Sequence, residues 1–246
     1  MNITVIIPAR YQSSRFPGKP LAEIAGKPMI EHVYDRCGQV DSIDRVIVAT
    51  DDQRIYDCVN KFGGQVEMTS EAHKSGTDRI AEVARELESE LIINVQGDEP
   101  LISPTMIERA VQPFRAESNL KMSTLKKKIT DKKSIEDPDI VKVVCDREGY
   151  ALYFSRSPLP YHREGNSRKT ETFYYQHIGL YVYRREFLLK YTELTPTPLE
   201  KAESLEQLRA LENGYSIKVV ETTCRTIGVD RPEDISRVEK ELRTDE

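Results

Sequence analysis

Three short apolar runs rich in β-branched residues, 3–7 (ITVII), 45–49 (RVIVA) and 91–95 (LIINV), alternate with stretches of helical period. The runs are continuous, as expected of strands covered on both faces. The intervening segments 28–40 (PMIEHVYDRCGQV), 52–63 (DQRIYDCVNKFG) and 76–88 (GTDRIAEVARELE) read as helices. In the third, Ile80, Val83, Ala84 and Leu87 recur at i, i+3, i+4 and i+7. Strand–helix alternation implies right-handed crossovers and an α/β fold around a mostly parallel sheet flanked by helices. In such a sheet the loops at the carboxyl ends of the strands are the expected ligand site.

The texture changes after about residue 120. Segments 121–128 (KMSTLKKK), 141–146 (VKVVCD) and 150–156 (YALYFSR) look like shorter strands, and 177–184 (HIGLYVYR) alternates like a half-exposed one. A charged, loop-rich stretch places an inserted subdomain at about 130–185 within a single domain spanning 1–246. Segment 195–214 (TPTPLEKAESLEQLRALENG) reads as one helix, with Pro198 in its first turn and Gly214 as its stop. A late strand at 217–223 and an amphipathic helix at 231–243 close the chain. Lys126, Lys127, Lys128, Lys132 and Lys133 read as a solvated face.

A net charge of −5, from 36 basic and 41 acidic residues, argues against a general nucleic-acid binder, so any cationic site must be local. Cys37, Cys58, Cys145 and Cys224 have no C-x-x-C or zinc spacing and read as reduced thiols. The first apolar run is too short for a signal peptide, and no stretch reaches the length of a membrane span. The expectation is a soluble cytoplasmic protein.

The loop after the first strand, 6–21 (IIPARYQSSRFPGKPL), carries Arg10, Arg15 and Lys19 around Pro17 and Gly18. It lacks the glycine spacing of a dinucleotide or Walker phosphate loop. Three cations within ten residues nevertheless suit a polyphosphate: arginine forks match phosphate oxygens and lysine adds a compact charge. Segment 94–100 (NVQGDEP) brings Asp98 and Glu99 to the same sheet edge. A carboxylate there suits Mg²⁺, a hard ion that shares phosphates with protein oxygens. In 73–79 (HKSGTDR), Ser75 or Thr77 can cap the next helix, and Gly76 allows close backbone approach. In 228–234 (GVDRPED), Asp230 can cap the closing helix or supply a second carboxylate opposite Asp98. Taken singly, each segment has an ordinary reading as a surface loop, a turn or a helix cap. The D-x-D sequence at 137–139, a glycosyltransferase signature elsewhere, follows a Lys-rich loop and not an apolar strand.

Together with YFSRSPLPY (153–161), HIGLYVYR, SLEQLR (204–209) and GVDRPEDI (228–235), these segments resemble the cytidylyltransferases that activate acidic sugars. Within them the pattern is similar to the 3-deoxy-manno-octulosonate branch; a sialic acid or other cytidylyltransferase is the alternative. The resemblance covers nearly the whole chain, and only 162–176 (HREGNSRKTETFYYQ) shows no family pattern. It implies a Rossmann-like nucleotidyltransferase fold with a smaller dimerisation subdomain. It implies transfer of CMP from CTP to the anomeric hydroxyl of 3-deoxy-D-manno-octulosonate, with release of pyrophosphate, for lipopolysaccharide synthesis. It further implies a homodimer, without nucleic-acid or membrane partners. By the same resemblance, Arg10, Arg15 and Lys19 hold the triphosphate, with the Pro8 and Ala9 backbone against base or ribose. Ser75, Gly76, Gln96 and Gly97 complete the CTP pocket, and Asp98 and Asp230 carry Mg²⁺. Arg10, Lys19, Asp98 and Asp230 are then the catalytic set. Arg156, His177, Tyr181, Glu206 and Gln207 line the sugar-acid side. A lone histidine in a strand is more often packed than catalytic; the resemblance assigns His177 a substrate contact, on the same strand face as Tyr181. On a continuous helix Gln207 shares a face with Glu203, while Glu206 is turned by roughly 100°, so Glu206 and Gln207 both stand as candidates.

Overall fold

Strand β1 (Ile3–Ala9) is buried along its length except at Pro8, as a run without alternation should be. The computed structural model describes residues 1–13, 16–161, 173–224 and 227–243. After β1 come β2 (Glu23–Ile24), β3 (Lys27–Pro28), α1 (Met29–Gly38), β4 (Arg45–Thr50), α2 (Gln53–Lys61), β5 (Gln65–Met68), α3 (Gly76–Arg85), β6 (Leu91–Asn94) and α4 (Pro104–Val111). Then follow α5 (Pro113–Ala116), β7 (Met122–Lys128), α6 (Lys132–Glu136), β8 (Lys142–Cys145), β9 (Ala151–Ser155) and β10 (Tyr175–Arg184). The chain closes with α7 (Arg185–Glu193), α8 (Pro198–Glu203), α9 (Gln207–Glu212), β11 (Ile217–Glu221) and α10 (Ile235–Leu242). Among the described residues no helix is long and apolar enough to cross a membrane.

Two compact units emerge. The first comprises Met1–Glu108, Val182–Thr192 and Cys224–Glu246; the second comprises Arg109–Tyr181 and Glu193–Thr223. The stretch expected as an insertion, about 130–185, thus falls largely within a unit that starts earlier and also takes in Glu193–Thr223.

In the first unit β1 pairs in parallel with β4, from Thr4↔Arg45 to Ala9↔Thr50, and with β6, from Ile3↔Leu91 to Ile6↔Asn94. β5 adds in parallel outside β4. Parallel pairing puts every carboxyl end on one edge, where Ala9, Thr50 and Asn94 finish. Helices α1, α2 and α3 pack on these strands. Ile6, Val48, Ile92 and Ile93 are fully buried beneath them, each such side chain contributing roughly 1.5–3 kcal/mol. The α/β, mostly parallel architecture expected from the alternation is what forms.

In the second unit β11 pairs in parallel with β7. β8 pairs antiparallel with β9, and with β10 through Gln176↔Lys142. The single helix expected over 195–214 is two. Helix α8 starts with Thr197 as cap, boxed by Glu200, and ends at Ser204 in the left-handed conformation (φ 52°). α9 then begins at Gln207. The Arg209 guanidinium bridges the break, donating from Nε (2.8 Å) and Nη2 (2.5 Å) to the two oxygens of nearly buried Glu200. The turn also leaves Glu203 accepting from Ser155 Oγ at 2.6 Å and from Arg156 N at 2.9 Å. On a straight helix Glu200 and Arg209, nine positions apart, would not meet, and across the break the expected common face for Glu203 and Gln207 does not exist.

Candidate active site

The carboxyl edge of the first unit's sheet is crowded at Pro8, and glycine is what permits it. A Cβ on Gly97 would lie 3.1 Å from the Pro8 carbonyl, and one on Gly76 would lie 3.2 Å from Pro8 Cγ. Beyond β1 the chain closes on itself where Gly18, at φ 73°, donates its N–H to Tyr11 O at 2.8 Å. A 3₁₀ turn over Lys19–Leu21 follows, with Pro20 in its first turn. That turn aims the Lys19 ammonium inward. Nζ donates to Asp98 Oδ2 at 2.5 Å and to Val229 O at 2.9 Å, and lies 4.0 Å from Asp230 Oδ1. Asp98 stands in the turn after β6, and its carbonyl accepts from Val229 N at 2.9 Å, fastening the C-terminal segment to that turn. Lys19 thereby meets Asp98, 79 positions along the chain, and the Val229 carbonyl, 210 positions along.

Pro8, Ala9, Arg10, Lys19, Gln96, Gly97 and Asp98, all expected from the sequence, line one cavity of about 350 Å³. Gln96 is steadied by donating from Nε2 to Asn94 Oδ1 at 2.9 Å. Arg10 is exposed and donates to Lys74 O at 3.4 Å. Ser75 caps α3: its hydroxyl accepts from Asp78 N at 3.1 Å, while Asp78 Oδ2 accepts from Ser75 N at 3.3 Å. The capping role offered for Asp230 is a correction. Asp234 Oδ2 accepts from Asp230 N and Arg231 N, both at 3.0 Å, and Asp230 instead faces Lys19. Arg15 lies outside the described residues.

In the second unit His177 and Tyr181 share a face as expected, with ring centroids 5.3 Å apart, and Phe154 meets the imidazole edge-on at 5.0 Å. Desolvation pushes the His177 pKa down to about 3, so the ring is neutral. Thr124 Oγ1 stands 2.9 Å from Nε2 and also reaches the carbonyls of Leu180 (2.8 Å) and Ile178 (3.1 Å). A hydroxyl has one proton, and here it goes to a carbonyl; the oxygen is then the acceptor for Nε2–H. Arg156 donates from Nε to Glu203 O at 2.8 Å and from Nη1 to Pro138 O at 3.0 Å, joining β9 to α8 and to the loop before β8. Gln207 is 4 % exposed, and its Nε2 has no hydrogen-bond partner among the described residues. Glu206 is exposed at the start of α9. An orphaned buried amide points to a ligand more strongly than an exposed carboxylate does.

Residues 4–221 match the model of the cytidylyltransferase family. The chain belongs to that family. It is 56 % identical to the 3-deoxy-manno-octulosonate cytidylyltransferase of Geobacter metallireducens, with 98 % of each chain covered. It is also 56 % identical to the protein of that name from Geotalea uraniireducens, over 99 % of this chain and 100 % of the relative. A solved structure of CMP:2-keto-3-deoxy-manno-octonic acid synthetase complexed with CTP superposes with a TM-score of 0.94, at 44 % identity over 100 % of both chains.

Three residues of this cytidylyltransferase, two of them already placed by the sequence, have contacts that it does not foretell. Glu99 has a buried Oε2 without a hydrogen-bond partner among the described residues. Burial raises its pKa to about 8, with Asp98 and Asp230 adding to the rise and Lys19 opposing it. Its Oε1 sits where a Cβ on Gly228 would come within 3.2 Å, so that glycine makes room for a carboxylate. The acid beside Asp98 was the available signal. Arg79 is wholly buried on α3, donating to Thr69 Oγ1 and, at 2.5 Å, to Asp51 Oδ2. Glu203 is the third, and its partners Ser155 and Arg156 are nearly fifty positions away in sequence.

Proposed function

We propose that this cytidylyltransferase transfers CMP from CTP to the anomeric hydroxyl of 3-deoxy-manno-octulosonate, releasing pyrophosphate. The names of its relatives and the CTP complex of its structural neighbour support the substrate pair. The observation that carries the reading is Lys19, poised between Asp98 and Asp230 on the cavity lined by Pro8, Ala9 and Arg10.

The chain's own residues then act by position and charge. The ends of β1 and β6 offer backbone and the Gln96 amide to base and ribose, and Ser75 and Gly76 bring the N-terminus of α3 beside Pro8. Arg10 offers a planar fork to phosphate oxygens. Lys19 opposes the charge that grows on the α- and β-phosphate oxygens as the hydroxyl attacks the α-phosphorus in line with the leaving pyrophosphate. Arg15 belongs to the same loop and would add a further cation.

Asp98 and Asp230 supply hard oxygen donors, both facing the Lys19 ammonium, and among the described residues no group of three or more potential ligand side chains could hold a metal ion without other donors. Two carboxylates completed by substrate phosphates suit Mg²⁺, which seldom sits in an all-protein cage. Bound there, Mg²⁺ would supply charge neutralisation and a lowered hydroxyl pKa. On the acceptor side, the orphaned amide of Gln207 supports hydrogen bonding to sugar-acid oxygens. Neutral His177 with Tyr181 supports a packing and hydrogen-bonding surface, and Arg156 frames it.

Exposed Leu152, Tyr161, Phe173 and Leu199 in the second unit support a homodimer, which sedimentation equilibrium would detect. Dependence on CTP supports a cytoplasmic place, at the activation step for lipopolysaccharide. The deciding assay is pyrophosphate release with CTP and Mg²⁺ and one acceptor at a time. Release with octulosonate and not with sialic acid is expected; the opposite preference would overturn the acceptor, and release with neither would overturn the reaction.

A further inference from the structure

The loop that bears Arg10 and Lys19 is held from outside the cavity by a side chain on another element. Arg54, in the first turn of α2, lies with its guanidinium carbon 3.3 Å from the centroid of the Tyr11 ring. It is itself oriented by Asp52, accepting at Oδ1 from Nε (2.9 Å) and at Oδ2 from Nη2 (2.7 Å). Asp52 in turn is fixed as the cap of α2, its Oδ1 also accepting from Arg54 N at 3.0 Å. The same tyrosine closes the loop: its carbonyl accepts from Gly18 N, and a Cβ on Gly18 would lie 3.2 Å from its ring and hydroxyl. Tyr11 therefore connects Gly18, immediately before Lys19, with a guanidinium anchored on a helix cap. Tyr11 and Asp52 also line, with Arg10, a second polar cavity of about 370 Å³.

We infer that Arg54 is a positioning residue for nucleotide binding, acting through the Tyr11 ring to hold Arg10 and Lys19 in the geometry that receives the triphosphate. The inference rests on the proposal that this loop binds CTP. Arg54 touches Tyr11 and Asp52, not Asp98 or Lys19, so its effect passes through the Tyr11 ring and is read first in CTP affinity. A partly exposed cation–π contact supports a change of about three- to five-fold.

The test is a cycle of Arg54→Ala, Tyr11→Leu and the double variant, with CTP binding measured by calorimetry and kcat and KM for CTP by pyrophosphate release. The α2 cap survives in Arg54→Ala because the backbone N–H donates it. Expected are a three- to five-fold weaker CTP affinity, a fall at least as large in kcat/KM for CTP, and no further loss of affinity when Arg54→Ala is added to Tyr11→Leu. Arg54→Lys keeps a cation over the ring and should bind CTP within two-fold of the parent. Unchanged affinity in Arg54→Ala, an additive double variant, or Arg54→Lys as impaired as Arg54→Ala would each overturn the inference while the parent still binds CTP. If the parent itself bound no CTP, or Lys19→Met bound it normally, the reading of the loop would fail instead.

Discussion

Lys19 is the single ammonium around which Asp98, Asp230 and buried Glu99 gather. Lys19→Met leaves Asp98 and Asp230 without their shared counter-charge and removes the donor facing the reacting phosphate; turnover should fall by about a hundredfold or more. Asp98→Asn should abolish turnover while CTP binding stays weakened but measurable in calorimetry; near-normal turnover would remove Asp98 from the proposed cation site. Glu99 makes a prediction in pH. Its folded pKa, about 8, lies above the ordinary carboxylate value near 4.5, so between those values the folded state holds a proton that the unfolded chain has lost. The stabilising contribution is complete below pH 4.5 and is lost as pH rises through 8. Melting temperatures of the protein without added divalent cation should therefore fall from pH 5 to pH 8 more steeply than those of Glu99→Gln, with the variant the more stable at pH 8. Parallel curves for the two proteins would show that Glu99 does not titrate in that window.

The break between α8 and α9 is where local and tertiary signals part. Residues 198–212 carry good helix formers throughout, and nothing in their spacing marks Ser204 as a stop. The stop goes with tertiary contacts: Arg209 folds back onto Glu200, and Glu203 reaches Ser155 and Arg156, nearly fifty positions away. By contrast β1, β4, β6 and helices α1 to α3 are legible, because their signals are local: an unbroken apolar run, an amphipathic period, a capping Ser75 with Asp78 three residues on. Ser204 at φ 52° offers a test whose sign separates the two structures. Glycine adopts left-handed backbone without a Cβ penalty, so Ser204→Gly should stabilise the broken form by about 0.5–1 kcal/mol. In a continuous helix the same change would destabilise by roughly 0.5 kcal/mol. Urea denaturation of the two proteins reads the difference directly.

On the scale of the molecule, the carboxyl edge and its cationic loop are legible from strand order and charge: a chain of net charge −5 keeps Arg10 and Lys19 on one cavity. The meeting of residues 19, 98 and 230 on one ammonium is not, since no spacing rule joins segments so far apart. It is made by tertiary closure. The last segment returns to the first unit and is stitched there by the hydrogen bond from Val229 N to Asp98 O. It is held by a cluster of buried Ile24, Met29, Leu101, Val229 and Val238. Asp230 is adjacent to Val229, so packing in that cluster should set how well the second carboxylate is placed. Val238, fully buried on α10, tests this from outside the cavity. Val238→Ala should cost about 2 kcal/mol of stability through the cavity it leaves. If the cluster also positions Asp230, the Mg²⁺ concentration for half-maximal pyrophosphate release should rise several-fold while KM for CTP changes by less than two-fold. An unchanged Mg²⁺ requirement in a variant destabilised by that amount would separate the packing of α10 from the placement of Asp230.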